Sequence, residues 1–134
     1  MKVQTAQVTH PVREAAWGIS LTEQKKSMFN ALLFKKFPDL YKSRISARPV
    51  WSYYAVIFLS LSAMIFFMVH KPLLAVTASV FWFYLIVNFI FKRLRDTNLS
   101  VSHKLEMICT SLLIPYLSVY WTLRGAFRYK VFFL

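Results

Sequence analysis

Two uninterrupted apolar runs dominate the pattern of the chain. The first, residues 50–69 (VWSYYAVIFLSLSAMIFFMV), carries no charged side chain. About 20 residues at about 1.5 Å rise each match a hydrocarbon core of roughly 30 Å, so the run predicts a spanning helix. Pro49 stands just ahead of it, where a missing backbone donor does no harm. Trp51, Tyr53 and Tyr54 gather at that end, as amphipathic rings do at the level of lipid headgroups. His70, Lys71 and Pro72 then separate it from residues 73–91 (LLAVTASVFWFYLIVNFIF). So short a connection sends the second run back antiparallel to the first, and the pair reads as a transmembrane helical hairpin. Asn88 is its one strongly polar side chain; it either hydrogen-bonds across to the first helix or lies near enough to the interface to find water.

A third apolar run, residues 105–123 (LEMICTSLLIPYLSVYWTL), has Glu106 at its start and Pro115 in its middle. It is either a Pro-kinked third transmembrane helix or a helix lying in the cytoplasmic interface. Ahead of the hairpin the pattern changes. Leu21, Met28, Phe29, Leu32 and Leu33 recur at helical spacing, with Gln24, Lys25, Lys26, Asn30, Lys35 and Lys36 largely opposite. Ser20, Leu21, Thr22 and Glu23 fit a capping box at the start of this segment, and Pro38 stops it at about Phe37. A basic amphipathic juxtamembrane helix of about 17 residues is expected, preceded by a short strand-like run over residues 4–9. The fold class expected is therefore an all-α membrane protein in four parts. Residues 1–48 form a cytoplasmic lead and amphipathic helix, 49–91 the hairpin, 92–104 a basic cytoplasmic loop, and 105–134 the third apolar helix and a basic tail.

Composition strengthens this picture. Of 134 residues, 57% are apolar and only 16% charged, too greasy for an ordinary soluble domain of this size. Lys and Arg number 17 against 5 Asp and Glu, a net charge of +12 that must face something negative. The cations flank the apolar runs: Lys35, Lys36, Lys42, Arg44 and Arg48 before the hairpin, Lys92, Arg93 and Arg95 after it. Only His70 and Lys71 occupy the turn, so the positive-inside rule puts both ends of the hairpin in the cytoplasm. A third span would carry Arg124, Arg128 and Lys130 outside, against the same rule. Together with Lys25 and Lys26, the eight flanking cations form a collar expected to bind membrane lipids at the interface. Basic and aromatic residues do interleave over residues 35–48, but no nucleic-acid-binding motif surrounds them, and no nucleic-acid partner is expected. Residues 1–10 have no hydrophobic core of the signal-peptide kind, so the N-terminus is expected to be cytoplasmic and uncleaved. Cys109 is the only cysteine, which excludes an intrachain disulfide.

Candidate chemistry is sparse. Enzymes acting on phosphates or sugars use acidic metal ligands or paired carboxylates, whereas Glu14, Glu23, Asp39, Asp96 and Glu106 are scattered. Glu23 reads as a cap and Glu106 as a charge at a helix start. Gly18 and Gly125 are the only glycines, which excludes a glycine-rich phosphate loop. His10, His70 and His103 are far apart. The chain carries no recognisable catalytic motif, and no cofactor is expected on its own residues.

Two segments nevertheless look familiar. The motif VTHPVR at residues 8–13, then Trp17, then QKKSMFNALLFKKFPDLY at residues 24–41, resembles the stretch that follows the catalytic domain in bacterial membrane-bound family-2 glycosyltransferases. There a strand ending in V-x-H-P-x-R precedes a helix ending in N-A-L-L-x-x-K-x-P-x-L-Y. The closing segment, from Ile114 and Pro115 through Trp121, Leu123, Arg124, Gly125, Ala126 and Arg128, is similar to the way those enzymes end. The resemblance covers nearly the whole chain but only about the final third of such an enzyme. It implies a cytoplasmic α/β domain that binds a nucleotide sugar and, with Mg²⁺ or Mn²⁺, transfers the sugar to a lipid-linked or polysaccharide acceptor. By the same resemblance His10 matches a late histidine of the metal shell. Arg13 and Trp17, with Lys25 and Lys26, would lie near the catalytic domain or the acceptor path. The family's Asp-x-Asp motif and catalytic acid have no counterpart here. The expectation is thus a membrane-anchoring C-terminal region, multi-pass in a bacterial inner membrane, partnered by a catalytic domain or subunit and inactive alone. The alternative is a small non-enzymatic membrane protein that binds anionic lipid or partner helices.

Overall fold

The computed structural model describes residues 16–45, 48–95 and 100–131. All regular elements among them are helical: α1 (Ile19–Glu23), a 3-10 turn (Gln24–Ser27), α2 (Met28–Lys36), α3 (Pro38–Arg44), α4 (Trp51–Met68), α5 (Pro72–Leu94) and α6 (Val101–Tyr129). The strand-like run expected at residues 4–9 lies outside the described residues.

Helices α4 and α5 form the expected hairpin, and the reversal between them is built by three residues. The Lys71 N–H donates to the Phe66 carbonyl at 2.9 Å and the His70 N–H to the Phe67 carbonyl at 3.2 Å, closing the end of α4 in a Schellman motif. His70 takes the left-handed position, φ 55°, that this motif requires. Pro72 then opens α5, where its missing N–H belongs to a first turn that has no intrahelical acceptor to lose. Val56, Ala75, Ala78 and Ile86 are buried where the helices meet their neighbours, and Tyr53 packs edge-on against Phe89 at 5.4 Å between ring centroids. Asn88 is half-buried, and among the described residues its side chain makes no hydrogen bond to α4.

The outer surfaces of the hairpin are bare. Phe58, Phe67, Leu73, Phe81, Phe83 and Tyr84 are all exposed. Only 6% of the apolar window of α4 and 17% of that of α5 are buried, whereas a core helix of a soluble protein would be mostly covered. The chain therefore has two helices long and apolar enough to cross a membrane, with large apolar surfaces that an aqueous medium would not tolerate.

Helix α6 extends beyond the expected run on both sides and continues through Pro115. It falls short of the hydropathy that marks α4 and α5. Its buried residues, among them Glu106, Thr110, Ile114 and Val119, recur every four or five positions, polar in the first half and apolar in the second. This helix packs against the hairpin and also against α1, the 3-10 turn and α2, so it joins the two parts of the molecule. At Gly125 the α2 backbone comes so close that an added Cβ would fall well inside van der Waals contact with the Met28 carbonyl. Met28 and Ala31 are buried at this crossing.

The leading segment departs from expectation. One amphipathic helix was predicted from Ser20 to about Phe37, but the 3-10 turn divides it. The face turned to α6 is narrow, Met28 and Ala31, and it leaves Phe29 and Leu33 exposed. The capping box does not form. Helix α1 starts at Ile19, behind Gly18 at φ 78°, and among the described residues the buried Ser20 hydroxyl has no hydrogen-bond partner. Glu23 instead pairs with Lys26. The physical reason lies in α6, whose Glu106 supplies the negative group that the local sequence was expected to provide. The loop expected at 92–104 is shortened from both sides, because α5 continues to Leu94 and α6 begins at Val101.

Candidate functional site

Two polar clusters lie along α6. In the first, on the N-terminal half of α6, the Gly18 N–H donates to Glu106 Oε1 at 2.6 Å. Glu106 Oε2 faces His103 Nδ1 at 3.3 Å, an ion pair when the imidazole is protonated. Beside it, the Arg93 guanidinium donates to the Met107 carbonyl at 3.2 Å, to Thr110 Oγ1 at 3.0 Å and to Ser111 Oγ at 2.8 Å. Ser111 and Thr110 are almost wholly buried, and their hydroxyls donate hydrogen bonds to the Met107 carbonyl. Arg93 also lies 5.8 Å from the Phe89 ring centroid. A guanidinium with five donors suits this place, since burying it without acceptors would cost more than its contacts return.

The second cluster surrounds Trp121. Lys25 lies over its ring at 5.9 Å and Arg124 at 5.1 Å, the latter also donating to the Tyr120 hydroxyl at 3.2 Å. Lys35 donates to the Tyr129 carbonyl at 2.9 Å, placing a cation at the negative end of the α6 dipole. Nearby, Phe34 meets Tyr41 edge-on at 5.7 Å and Lys42 lies over the Phe34 ring at 5.6 Å. Burial raises the Tyr41 phenol above its ordinary pKa.

Both clusters are taken up largely by contacts within the chain. The carboxylate and the guanidinium of the first are committed to neighbours, and among the described residues no three His, Cys, Asp or Glu converge as metal ligands. The apolar cleft of about 570 Å³ beside α4 and α5 contains one polar side chain, Ser79, whose hydroxyl donates back to the Ala75 carbonyl at 2.9 Å. That arrangement can hold helices together and meet lipid; it offers no nucleophile or general base.

The expected site residues are dispersed. His10 and Arg13 lie outside the described residues. Trp17 is exposed at the entrance to α1. Lys25 and Lys35 are drawn to α6, and Lys26 to Glu23. Lys36, Lys42, Arg44, Arg48, Lys92 and Arg95 are exposed. Arg93, grouped with them by its position in the sequence, turns to α6 instead. A signal for this was present: Ala75, Ala78, Trp82, Ile86, Phe89 and Arg93 form one stripe at three- and four-residue spacing, and Lys92 and Arg95 lie off it. The role of Glu106 had no such signal, because its partner is 88 positions away. No protein-family model, curated protein or solved structure matches this chain.

Proposed function

We propose that this chain is the membrane-anchoring C-terminal region of a family-2 glycosyltransferase, set in a bacterial inner membrane with its N-terminus in the cytoplasm. The observation that carries this reading is the clasp between Gly18 and Glu106. Whatever precedes Trp17 enters the membrane unit at this point, and the VTHPVR segment ends only a few residues earlier. The clasp and the crossing at Gly125 make α1–α2 a fixed stem on α6. A catalytic domain on such a stem is confined to the surface that holds a lipid-linked acceptor, which raises effective concentration without adding any catalytic group. By the resemblance, Mg²⁺ or Mn²⁺ would sit at the Asp-x-Asp motif of the partner domain, with His10 as a further candidate ligand.

The second reading, a non-enzymatic protein that binds lipid or partner helices, draws on Glu106 and Arg93 each being held within the chain, the one by Gly18 and His103, the other by Met107, Thr110 and Ser111. One experiment separates the two. The chain is expressed alone and together with the product of the reading frame immediately upstream, and each membrane fraction is assayed for transfer from nucleotide sugars. Transfer only in the combined preparation is expected. Turnover by the purified chain alone, or an upstream frame without an Asp-x-Asp domain, would contradict the glycosyltransferase reading.

A further inference from the structure

The neighbours of α6 bear on a question that its own hydropathy leaves open. Contacts join it to the leading segment in the same order along both: Gly18 with Glu106, Lys25 with Trp121, Met28 with Gly125, and Lys35 with Tyr129. Helices in side-by-side contact over their length share one medium. The leading segment carries Glu23, Lys25, Lys26, Lys35 and Lys36, and a segment so charged does not cross hydrocarbon. Its bonded partner α6 therefore does not cross either.

The bonds to the hairpin agree. Arg93 and Trp82 stand about 16 Å apart along α5 at 1.5 Å per residue, yet they bind positions on α6, Thr110 and Tyr116, only about 9 Å apart. Thus α6 crosses α5 obliquely. The hydrogen bond of 2.9 Å from Trp82 Nε1 to the Tyr116 hydroxyl sinks the middle of α6 towards the acyl chains.

From this geometry we infer that α6 lies in the cytoplasmic interface beside α1–α2, and that its C-terminal half is a docking surface for anionic phospholipid headgroups. Arg124 and Arg128 follow Trp121 at three- and four-residue spacing, on one stripe, with Lys130 just beyond. Lys25 and Lys35 reach the same stretch from a segment roughly a hundred residues earlier. An indole among several exposed cations is the pattern of the headgroup level, where each cation gains from anionic lipid. This placement also removes the charge-rule conflict, since Arg124, Arg128 and Lys130 stay inside. The inference rests on the cytoplasmic orientation proposed above.

The test uses the full chain with Cys109→Ser and single substitutions Lys42→Cys, Lys71→Cys or Arg128→Cys, treated in intact cells with an impermeant maleimide. Only Lys71→Cys should label; Lys42→Cys and Arg128→Cys should label after permeabilisation. Labelling of Arg128→Cys together with Lys71→Cys would mean a third span and overturn the inference. Inverted labelling of Lys42→Cys and Lys71→Cys would instead overturn the orientation. In a second arm, the chain is extracted with mild detergent from bilayers of equal parts phosphatidylglycerol and phosphatidylcholine. Phosphatidylglycerol should be enriched in the retained lipid. Combined Arg124→Gln, Arg128→Gln and Lys130→Gln should lower that enrichment several-fold, while Arg124→Lys with Arg128→Lys, or Lys71→Gln, should preserve it. Unchanged enrichment in the triple variant would overturn the headgroup assignment.

Discussion

Glu106 Oε1 accepts a hydrogen bond of 2.6 Å from the Gly18 backbone N–H, joining the entrance of the leading helices to α6 across 88 positions of sequence. The carboxylate is buried, so its loss strips a charge-assisted bond from a part-buried donor. Glu106→Ala should cost about 1–3 kcal/mol in stability, read as a lowered Tm in detergent. Limited proteolysis should show cleavage around residues 16–24 first. An unchanged proteolytic pattern would mean that the clasp does not hold the stem.

Gly125 is needed for proximity, since a side chain there would strike the Met28 backbone. Backbone cannot swing aside as a flexible side chain can. Gly125→Ala should therefore destabilise by about 1–3 kcal/mol, and Gly125→Leu by more. Equal melting of Gly125→Ala and the parent chain in thermal unfolding would show that α2 does not cross α6 at this point.

Arg93 and Lys92 are adjacent and carry the same charge, yet only Arg93 reaches Thr110 and Ser111. Arg93→Ala should cost about 1–3 kcal/mol, and Arg93→Lys should recover part of that, since all three bonds leave from Nη1 and an ammonium also offers its donors from one nitrogen. Lys92→Ala, at an exposed position, should stay within about 0.5 kcal/mol. Paired thermal melts of these variants give the comparison; similar losses at both sites would contradict the assignment.

His70 and Lys130 occupy left-handed helix-terminal positions, φ 55° and 50°, that glycine takes without steric cost. His70→Gly and Lys130→Gly should each raise stability, by up to about 1 kcal/mol. A β-branched residue at His70 should lower it. If His70→Gly lowers Tm, the turn between α4 and α5 does not adopt this geometry.

The hairpin was legible because its causes are local: unbroken apolar runs fix the lengths, and His70, Lys71 and Pro72 fix the reversal. The leading segment was legible only in part. Its helical spacing was visible, but the capping box at Ser20 and Glu23 loses to an acid from α6, and no local pattern contains that competition. The stripe through Arg93 could have been read from spacing, had the buried face of α5 been extended past its last apolar residue. For α6 the sequence left two placements, since a Pro and a Glu in an apolar run suit either. The interfacial placement proposed for it rests on the company the helix keeps, which no local pattern contains.

The account depends most on α4 and α5 being embedded in lipid together. Alkaline carbonate extraction of membranes from cells producing the chain tests this directly. The protein should remain in the pellet and leave it only with detergent; its recovery in the aqueous supernatant without detergent would contradict the account.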